Sequence, residues 1–369
     1  MIAPTFSYLN EVYFGGSILE QAATVAARHG LYRPLLVTDR TLSDLGIADR
    51  AGLGSLPEFA DVETNPTESA ARSALTLYRA EKCDGLIAIG GGSPIDLAKV
   101  VALLVGHDGP LGDYAIHAGG PASIDTAVPS LVAVPTTAGS GSEVGRAALM
   151  TLEDGRKVGF LSPKLLPVAA VCDPAVTMTM PALLTAACGM DAISHCVEAI
   201  VSSRENPVAG AIARDGLRRG VRHIVQATES AQDLAAKSEM MICALEGGLA
   251  FQKGLGAVHS LSHPLGGLKP ELHHGTLNGL FLPVVLAFNE GFAKEGFEVI
   301  RSETGESDVS AFFARLLEQL GLPSKLSELG VVDSDLVKAA PLAKVDHCTP
   351  TNPRPFTEAD ALALYRSCL

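Results

Sequence analysis

A short apolar run that ends in three glycines limits the folds open to this chain. Residues 85–89 read Gly-Leu-Ile-Ala-Ile, and Gly-Gly-Gly-Ser follows directly. An uninterrupted apolar run of this length is typical of a strand that is buried on both faces of a parallel sheet. Similar runs at 35–39 and 131–134 alternate with helical patterns. Residues 1–179 are therefore predicted to form an α/β domain with a Rossmann-like parallel sheet.

The glycines after this strand predict an anion site. Without side chains, the backbone N–H groups of Gly91 and Gly92 can approach a pyrophosphate closely at the start of a helix. Ser93 suits the helix N-cap and Pro94 the first helical position. The alternative is a glycine turn that only connects two elements. The spacing is not Gly-x-Gly-x-x-Gly, so the common dinucleotide fingerprint does not apply.

Two further segments follow strands and carry polar side chains. Asp39 could accept hydrogen bonds from a ribose and would repel a 2′-phosphate, which favours NAD over NADP, or it could cap a helix before Thr41. The loop 136–142, Thr-Thr-Ala-Gly-Ser-Gly-Ser, offers hydroxyl and N–H groups to a cofactor or caps a helix. Residues 146–152 and 157–161 predict a hairpin that turns at Asp154-Gly155.

The character of the chain changes near residue 180. Long helical patterns dominate residues 180–369, which are predicted to form a second, all-helical domain.

Metal-ligating side chains are concentrated in this second half. His259 and His263 lie four residues apart, as do Asp191 and His195, so each pair occupies one face of a helix. The helix that carries His259 is expected to break at Pro264. Three imidazoles and a carboxylate would bind a divalent first-row metal and leave a coordination position open for catalysis. Spacing alone does not say which histidines of residues 254–278 bind.

Composition narrows the function. The net charge is −13 and there is no Lys/Arg cluster beyond short pairs such as Arg218-Arg219, which argues against nucleic acid or an anionic membrane as the main partner. Seven cysteines without a Cys-x-x-Cys motif favour reduced thiols in the cytoplasm. The first residues lack a signal-peptide pattern, and the apolar run 277–288 is too short to span a bilayer. A cytoplasmic enzyme acting on a small molecule is expected.

Taken together, these motifs resemble the iron-containing alcohol dehydrogenase family over nearly the whole chain. The matching segments are Gly90-Gly91-Gly92-Ser93 with Asp96 and Lys99, Pro135–Gly139 with Ser142-Glu143, Asp173-Pro174, Gly189–Ala192 with His195 and Glu198, His259 with His263–Gly266, His274-Gly275 with Asn278, and Asn352–Pro355. The resemblance implies a dehydroquinate synthase-like architecture: a dinucleotide-binding domain, a helical metal-binding domain and an active site in the cleft between them.

The resemblance also implies roles for individual residues. The metal ligands would be Asp191, His195, His259 and His274, where His274 is chosen over His273 because it precedes Gly275. His263 would lie near the nicotinamide and substrate as the catalytic proton relay, or serve only in packing. The residues expected to contact NAD are Asp39, Gly91, Gly92, Ser93, Asp96, Thr136, Thr137, Ser140 and Lys157.

The expected reaction is reversible hydride transfer between NAD and a short-chain alcohol, which covers alkanols, diols and hydroxy acids. Fe²⁺ is the expected metal and Zn²⁺ is possible. A homodimer is expected, as among relatives. The alternatives are a zinc-dependent polyol dehydrogenase, a lyase of the dehydroquinate synthase type, and a metal- or nucleotide-binding protein without catalysis.

Overall fold

The computed structural model describes residue 8 and residues 10–369. They fall into two compact units. The first unit contains residues 10–137 and 142–177, and the second contains residues 138–141 and 178–369. The predicted boundary at residue 179 stays a prediction.

The first unit is built on a six-stranded parallel sheet with the order β1-β8-β5-β4-β2-β3, together with a separate hairpin of β6 and β7. The strands are β1 Glu11–Phe14, β2 Leu35–Val37, β3 Glu58–Phe59, β4 Leu86–Gly90, β5 Leu131–Pro135, β6 Ala147–Thr151, β7 Lys157–Leu161 and β8 Ala169–Cys172. The helices are α1 Ala22–Arg28, α2 Arg40–Asp44, α3 Ile47–Arg50, α4 Glu68–Ala80 and α5 Gly92–Gly106.

Both faces of the sheet are buried, as the uninterrupted apolar runs predict. Along β4, Leu86 and Ala88 join one hydrophobic core, whereas Ile87 and Ile89 join a second core on the opposite face. Successive strand residues point to opposite faces, so a strand covered on both sides needs apolar residues at every position. The predicted α/β fold is therefore confirmed.

The register of the two central strands brings the predicted cofactor loops to one edge of the sheet. Leu86 of β4 pairs with Leu131 of β5, and the pairing continues to Gly90 and Pro135. The Thr136 N–H then donates to the Gly90 carbonyl at 3.0 Å. In parallel sheets, ligands bind beyond the carboxyl ends of the strands, which is where both loops begin.

A buried lysine fixes the segment that follows the second of these loops. Lys99 of α5 is fully buried, and its Nζ donates to the carbonyls of Ser142, Gly145 and Ala147 at 2.7–3.0 Å. Asp96, one turn earlier, accepts from Ser142 Oγ at 2.6 Å and from the Leu149 N–H at 2.9 Å. These bonds hold the start of the β6–β7 hairpin against α5. The hairpin itself was predicted and is confirmed.

The second unit is all-helical, as predicted. Its helices are α6 Ala182–Val201, α7 Pro207–Glu229, α8 Leu234–Ala250, α9 Ala257–Leu268, α10 His274–Asn289, α11 Lys294–Thr304, α12 Val309–Gln319, α13 Asp333–Val345 and α14 Glu358–Ser367. α6 is long and apolar enough to cross a membrane, but 94% of that apolar window is buried inside the protein. It is the central helix of this unit, and it packs against α7, α8 and α10.

Two local predictions are wrong. Pro264 does not break the helix that carries His259, because α9 continues through it to Leu268. The fully buried neighbours Leu261 and Leu265 hold this stretch in place and offset the hydrogen bond that proline cannot donate. Ser93 is not an N-cap, because α5 begins at Gly92, two residues earlier than predicted, with Gly91 as its cap. The Ser93 hydroxyl instead donates to the Thr64 carbonyl.

Candidate functional site

Four predicted metal ligands converge in the helical unit. Asp191 and His195 lie one turn apart on α6, and His195 Nε2 is 3.5 Å from Asp191 Oδ1. His259 Nε2 of α9 is 3.8 Å from the same oxygen, and His274 Nε2, at the start of α10, is 3.9 Å from it. Three helices therefore direct three imidazole nitrogens toward one carboxylate oxygen.

These separations fit a divalent metal ion. Metal–nitrogen bonds of about 2.0–2.1 Å in a tetrahedral arrangement place the donor atoms about 3.4 Å apart, within about half an ångström of the separations observed. Burial lowers the pKa of His195 to about 4, so its ring is neutral and keeps a lone pair for a metal. A set of three histidines and one carboxylate suits Fe²⁺ and Zn²⁺.

Glu198 sets the orientation of His259. One turn after His195 on α6, its Oε2 lies 2.5 Å from His259 Nδ1, and its Oε1 accepts the Val258 N–H at 2.7 Å. Burial opposes protonation of His259, but Glu198 outweighs it and raises the pKa of the ring. A carboxylate at Nδ1 keeps a proton on that nitrogen, so the lone pair lies on Nε2, the atom that faces Asp191.

Asn278 lies at the centre of the same group of atoms. Its Nδ2 donates to Asp191 Oδ1 at 2.6 Å, and it is 3.1 Å from His259 Nε2 and 3.0 Å from His274 Nε2. An amide N–H group can interact with both imidazoles only through their lone pairs. The Nε2 lone pairs of both rings therefore point toward the same group of atoms, as metal ligands would.

The structure separates the neighbouring histidines His273 and His274. His273 is the N-cap of α10, and its Nδ1 accepts the Thr276 N–H at 3.3 Å. His274 is the first residue of the helix, and it is the one whose ring joins Asp191. At the start of α10, His273 is therefore the helix cap and His274 is the candidate metal ligand.

His263 lies beside the cluster but has a different partner. Its Nδ1 is 3.0 Å from Asp346 Oδ2, and its ring stacks on that of His274 with a centroid distance of 5.4 Å. Burial lowers the pKa of His263 to about 4. Burial also opposes ionisation of Asp346, but His263 and His347 outweigh it and hold the pKa of that carboxyl well below 3.8. A neutral imidazole that donates from Nδ1 to a carboxylate has its Nε2 available to accept a proton.

The predicted cofactor residues of the first unit do not all present free polar groups. A Cβ added to Gly91 would lie 3.1 Å from Thr137 Oγ1, so the two loops touch at this glycine. Asp39 caps α2 by accepting the Leu42 N–H at 2.9 Å. Lys157 Nζ donates to Asn65 Oδ1 at 2.7 Å. The carboxylate of Asp96 is bonded to the hairpin, as described above.

The remaining predicted cofactor residues lie along the same two loops. Gly92 opens α5, Thr136 directly follows β5 and is buried, and Ser140 belongs to the short segment 138–141 that clusters with the helical unit. Gly139 in this segment packs closely against α6, where a Cβ would lie 3.0 Å from that of Cys188. The role of each of these residues in cofactor binding stays a prediction.

Three residues that contact the candidate ligands or His263 have no role predicted from the sequence. Glu198 and Asn278 belong to the segments that carry the family resemblance, and no sequence pattern singles out Asp346. Glu198 could have been found from its position, because it continues the spacing of Asp191 and His195 by one turn. Asp346 is 83 residues from His263 and follows a helix, so no local pattern joins them.

Comparison with known proteins places both parts of the chain in one family. The family model described as iron-containing alcohol dehydrogenase matches residues 10–174, and the model of the C-terminal part of the Fe-containing alcohol dehydrogenase family matches residues 185–369. A 4-hydroxybutyrate dehydrogenase from Cupriavidus necator is 45% identical over 96% of both chains. An NAD-dependent methanol dehydrogenase from Bacillus methanolicus is 33% identical over 96% of this chain and 97% of its own.

Among solved structures, a 1,3-propanediol oxidoreductase superposes with a TM-score of 0.93 at 34% identity, covering 99% of this chain and 100% of the other. The family models cover nearly the whole chain, and these relatives are full-length matches. The chain therefore belongs to the iron-containing alcohol dehydrogenase family.

Proposed function

We propose that this protein catalyses reversible hydride transfer between NAD and a short-chain alcohol or the corresponding aldehyde. The observation that carries the proposal is the convergence of His195, His259 and His274 on one oxygen of Asp191, at 3.5–3.9 Å. A divalent metal bound by these four residues would act as a Lewis acid toward the oxygen of the substrate. Fe²⁺ is proposed as the native metal, and Zn²⁺ would suit the same donors.

The residues around the cluster have distinct parts in this proposal. Glu198 and Asn278 orient the imidazoles. His263 receives the hydroxyl proton at Nε2 when the alcohol is oxidised and returns it when the aldehyde is reduced, because Asp346 holds the other ring proton on Nδ1. Hydrogen bonds to Glu198 and Asp346 hold the rings of His259 and His263, which favours a fixed geometry for the reaction.

The dinucleotide is assigned to the carboxyl edge of the parallel sheet. The N–H groups at the start of α5, from Gly91 to Ser93, would bind the pyrophosphate, and Thr136, Thr137 and Ser140 would contribute the second loop. NAD is preferred to NADP because Asp39 lies after β2, where its charge would repel a 2′-phosphate. The name of the methanol dehydrogenase relative supports the same choice.

A hydroxy acid is the substrate that we favour, and 4-hydroxybutyrate is the first candidate because of the 45% identical relative. A carboxylate substrate needs a cation. Lys269 Nζ lies 3.6 Å from Glu271 Oε1 and 3.9 Å from Asp335 Oδ2. Its charge is therefore already paired with carboxylates of the protein. The Arg354 guanidinium donates to the Phe288 carbonyl and covers the Phe288 ring.

Lys253 is better suited to a substrate carboxylate. Its Nζ donates to the Ile200 carbonyl at 2.8 Å, and within residues 10–369 no carboxylate lies within ion-pairing distance of it. Burial lowers the pKa of this ammonium group, with no acidic group to offset the effect. Two residues earlier, the ring of Phe251 packs edge-on against His195 at 4.6 Å. Even a partly buried cation without a counter-ion carries a desolvation cost, which the carboxylate of a substrate would offset.

The test is NADH formation by metal-stripped protein that has been reloaded anaerobically with Fe²⁺ or Zn²⁺. The panel pairs 4-hydroxybutyrate with 1,4-butanediol and 1-butanol, which share its carbon chain. Activity that returns with metal and is lost in Asp191→Ala supports the proposal. Absence of NADH with every alcohol and both metals would contradict it and favour the synthase-type reading. We further propose that the enzyme works as a homodimer in the cytoplasm, a compartment that suits seven buried cysteines outside any disulfide.

A further inference from the structure

Four metal-binding side chains form a second cluster next to the proposed catalytic one. They are His263 of α9 and three consecutive residues after α13, namely Asp346, His347 and Cys348. One ligand atom from each of the four lies within 4.8 Å of all the others. None of the proposed catalytic ligands belongs to this group. The function proposed above uses only His263 and Asp346, and it leaves His347 and Cys348 without a role.

The geometry is organised around the carboxylate of Asp346. Its Oδ2 lies 3.0 Å from His263 Nδ1 and 3.6 Å from His347 Nδ1. The two imidazole rings are nearly parallel, with centroids 5.2 Å apart and an angle of 10° between them. The other oxygen, Oδ1, accepts the Cys348 N–H at 2.8 Å, which fixes the turn that carries all three residues. Two imidazole nitrogens therefore lie within 3.6 Å of one carboxylate oxygen.

The cluster has a buried interior and an open side. His263 and Cys348 are buried, whereas the side chain of His347 is 31% exposed. An ion could therefore enter past His347 without any change in the helical core. Two histidines, one carboxylate and one thiol are a donor set that is typical of Zn²⁺. Tetrahedral Zn²⁺ would require the ligand atoms to move together by about 1 Å, which a turn at the end of a helix can allow.

We propose that His263, Asp346, His347 and Cys348 form a second, regulatory binding site for Zn²⁺ or a similar divalent ion. Binding requires the Cys348 thiolate, so one proton leaves the thiol as the ion enters. Occupancy of the site is therefore coupled to proton release.

Occupancy of this site would stop catalysis through His263. An ion bound at Nδ1 displaces the proton that now points to Asp346, and the ring can keep that proton only on Nε2. Nε2 is then a donor and can no longer accept a proton from an alcohol. The inhibitory consequence rests on the proposed function, but the binding of the ion does not.

The test uses Co²⁺ as a spectroscopic probe on enzyme whose catalytic site has first been filled with one equivalent of Fe²⁺ under anaerobic conditions. A cobalt–thiolate bond gives a near-ultraviolet charge-transfer band that the histidine and aspartate ligands of the catalytic site cannot give. Cys348→Ser removes the thiol, and His347→Asn removes an exposed ligand with little risk to folding. Cys368→Ser, which changes another buried cysteine, is the matched control.

The band should appear with one equivalent of Co²⁺ in the wild type and in Cys368→Ser. It should be absent from Cys348→Ser, and His347→Asn should weaken binding by at least about tenfold. Excess Zn²⁺ should inhibit the wild type and inhibit His347→Asn at correspondingly higher concentration. No band in the wild type, a band that survives in Cys348→Ser, or unchanged affinity in His347→Asn would overturn the site. The band remains readable even if no alcohol is turned over, so the two proposals fail separately.

Discussion

Replacing Glu198 by glutamine tests whether the orientation of His259 controls metal binding. Glu198 is 3% exposed, and its two oxygens each accept one hydrogen bond, from the Val258 N–H and from His259 Nδ1. A glutamine amide has almost the same shape but only one oxygen. Its NH₂ group must face either the Val258 N–H, which is another donor, or His259 Nδ1.

Both orientations of the glutamine disturb the cluster. If the NH₂ group faces Nδ1, the His259 ring must carry its proton on Nε2, the atom that lies 3.8 Å from Asp191 Oδ1. If it faces Val258, a buried N–H loses its acceptor. A hydrogen bond to a charged group is worth about 1.5–3 kcal/mol. Loss of such an outer partner typically weakens metal binding about 10–100-fold, which corresponds to about 1.4–2.7 kcal/mol.

The measurement is a competition titration of stripped protein against a chromophoric chelator, with Zn²⁺ to avoid oxidation. Asp346→Asn is the matched control, because it changes the carboxylate partner of His263, which is not a proposed ligand of the catalytic metal. The titration is read at the first equivalent of metal. We expect the affinity of Glu198→Gln to fall about 10–100-fold and that of Asp346→Asn to stay within about twofold. A melting curve of each metal-free variant checks that both remain folded.

Unchanged metal affinity in Glu198→Gln would refute this reasoning, since it would mean that neither the lost charge beside His259 nor the lost acceptor for Val258 affects the metal site. Equal losses in Glu198→Gln and Asp346→Asn would contradict it in another way. They would show that His263 supports the catalytic metal as strongly as His259 does.

Three further predictions follow from the site. Asp346→Asn should lower turnover at least about tenfold with catalytic metal content unchanged, measured by NADH formation and metal analysis, because His263 loses the charge that keeps its Nε2 free. Lys253→Met should raise the KM for 4-hydroxybutyrate while leaving that for 1,4-butanediol near its wild-type value; equal losses for both would mean that Lys253 serves only the end of α6. Urea unfolding of the metal-free protein should show stability falling as the pH drops from about 6.5 to about 4. In that range His195 and His263 bind protons in the unfolded chain but not in the native protein, where their pKa values are about 4. The raised pKa of His259 has the opposite effect on stability, but it involves one group against two.

Most of the fold could be predicted from the sequence because the patterns that indicate its strands and helices are local. A strand covered on both faces must be apolar at every position, and β4 and β5 are, so the sheet could be predicted from runs of four or five residues. Where a helix ends depends on a small difference between the cost of a lost backbone hydrogen bond and the gain from side-chain packing. The sequence predicts that α9 stops at Pro264, but fully buried neighbours keep that stretch helical. The strength of that packing cannot be predicted from the local sequence.

The candidate ligands could be predicted from the sequence for a similar reason. Asp191 and His195 are one turn apart, and a helix alone places them on one face. The partners that orient the ligands come from other elements. Asn278 reaches Asp191 across 87 residues of sequence, and Glu198 reaches His259 across 61. Such contacts depend on how the helices pack, which the sequence pattern does not specify.

The spacing of His259 and His263 in the sequence does not distinguish their roles. They are four residues apart on α9, and the pattern predicts only that they share a face of the helix. In the structure, Glu198 of α6 holds Nδ1 of one ring, and Asp346, after α13, holds Nδ1 of the other. The first ring thereby turns its Nε2 toward Asp191, and the second is left outside the group of atoms around Asn278. Two identical side chains on one helical face are thus given different chemistry by the carboxylate that each one meets, so the role of either histidine is a property of its partner as much as of its position.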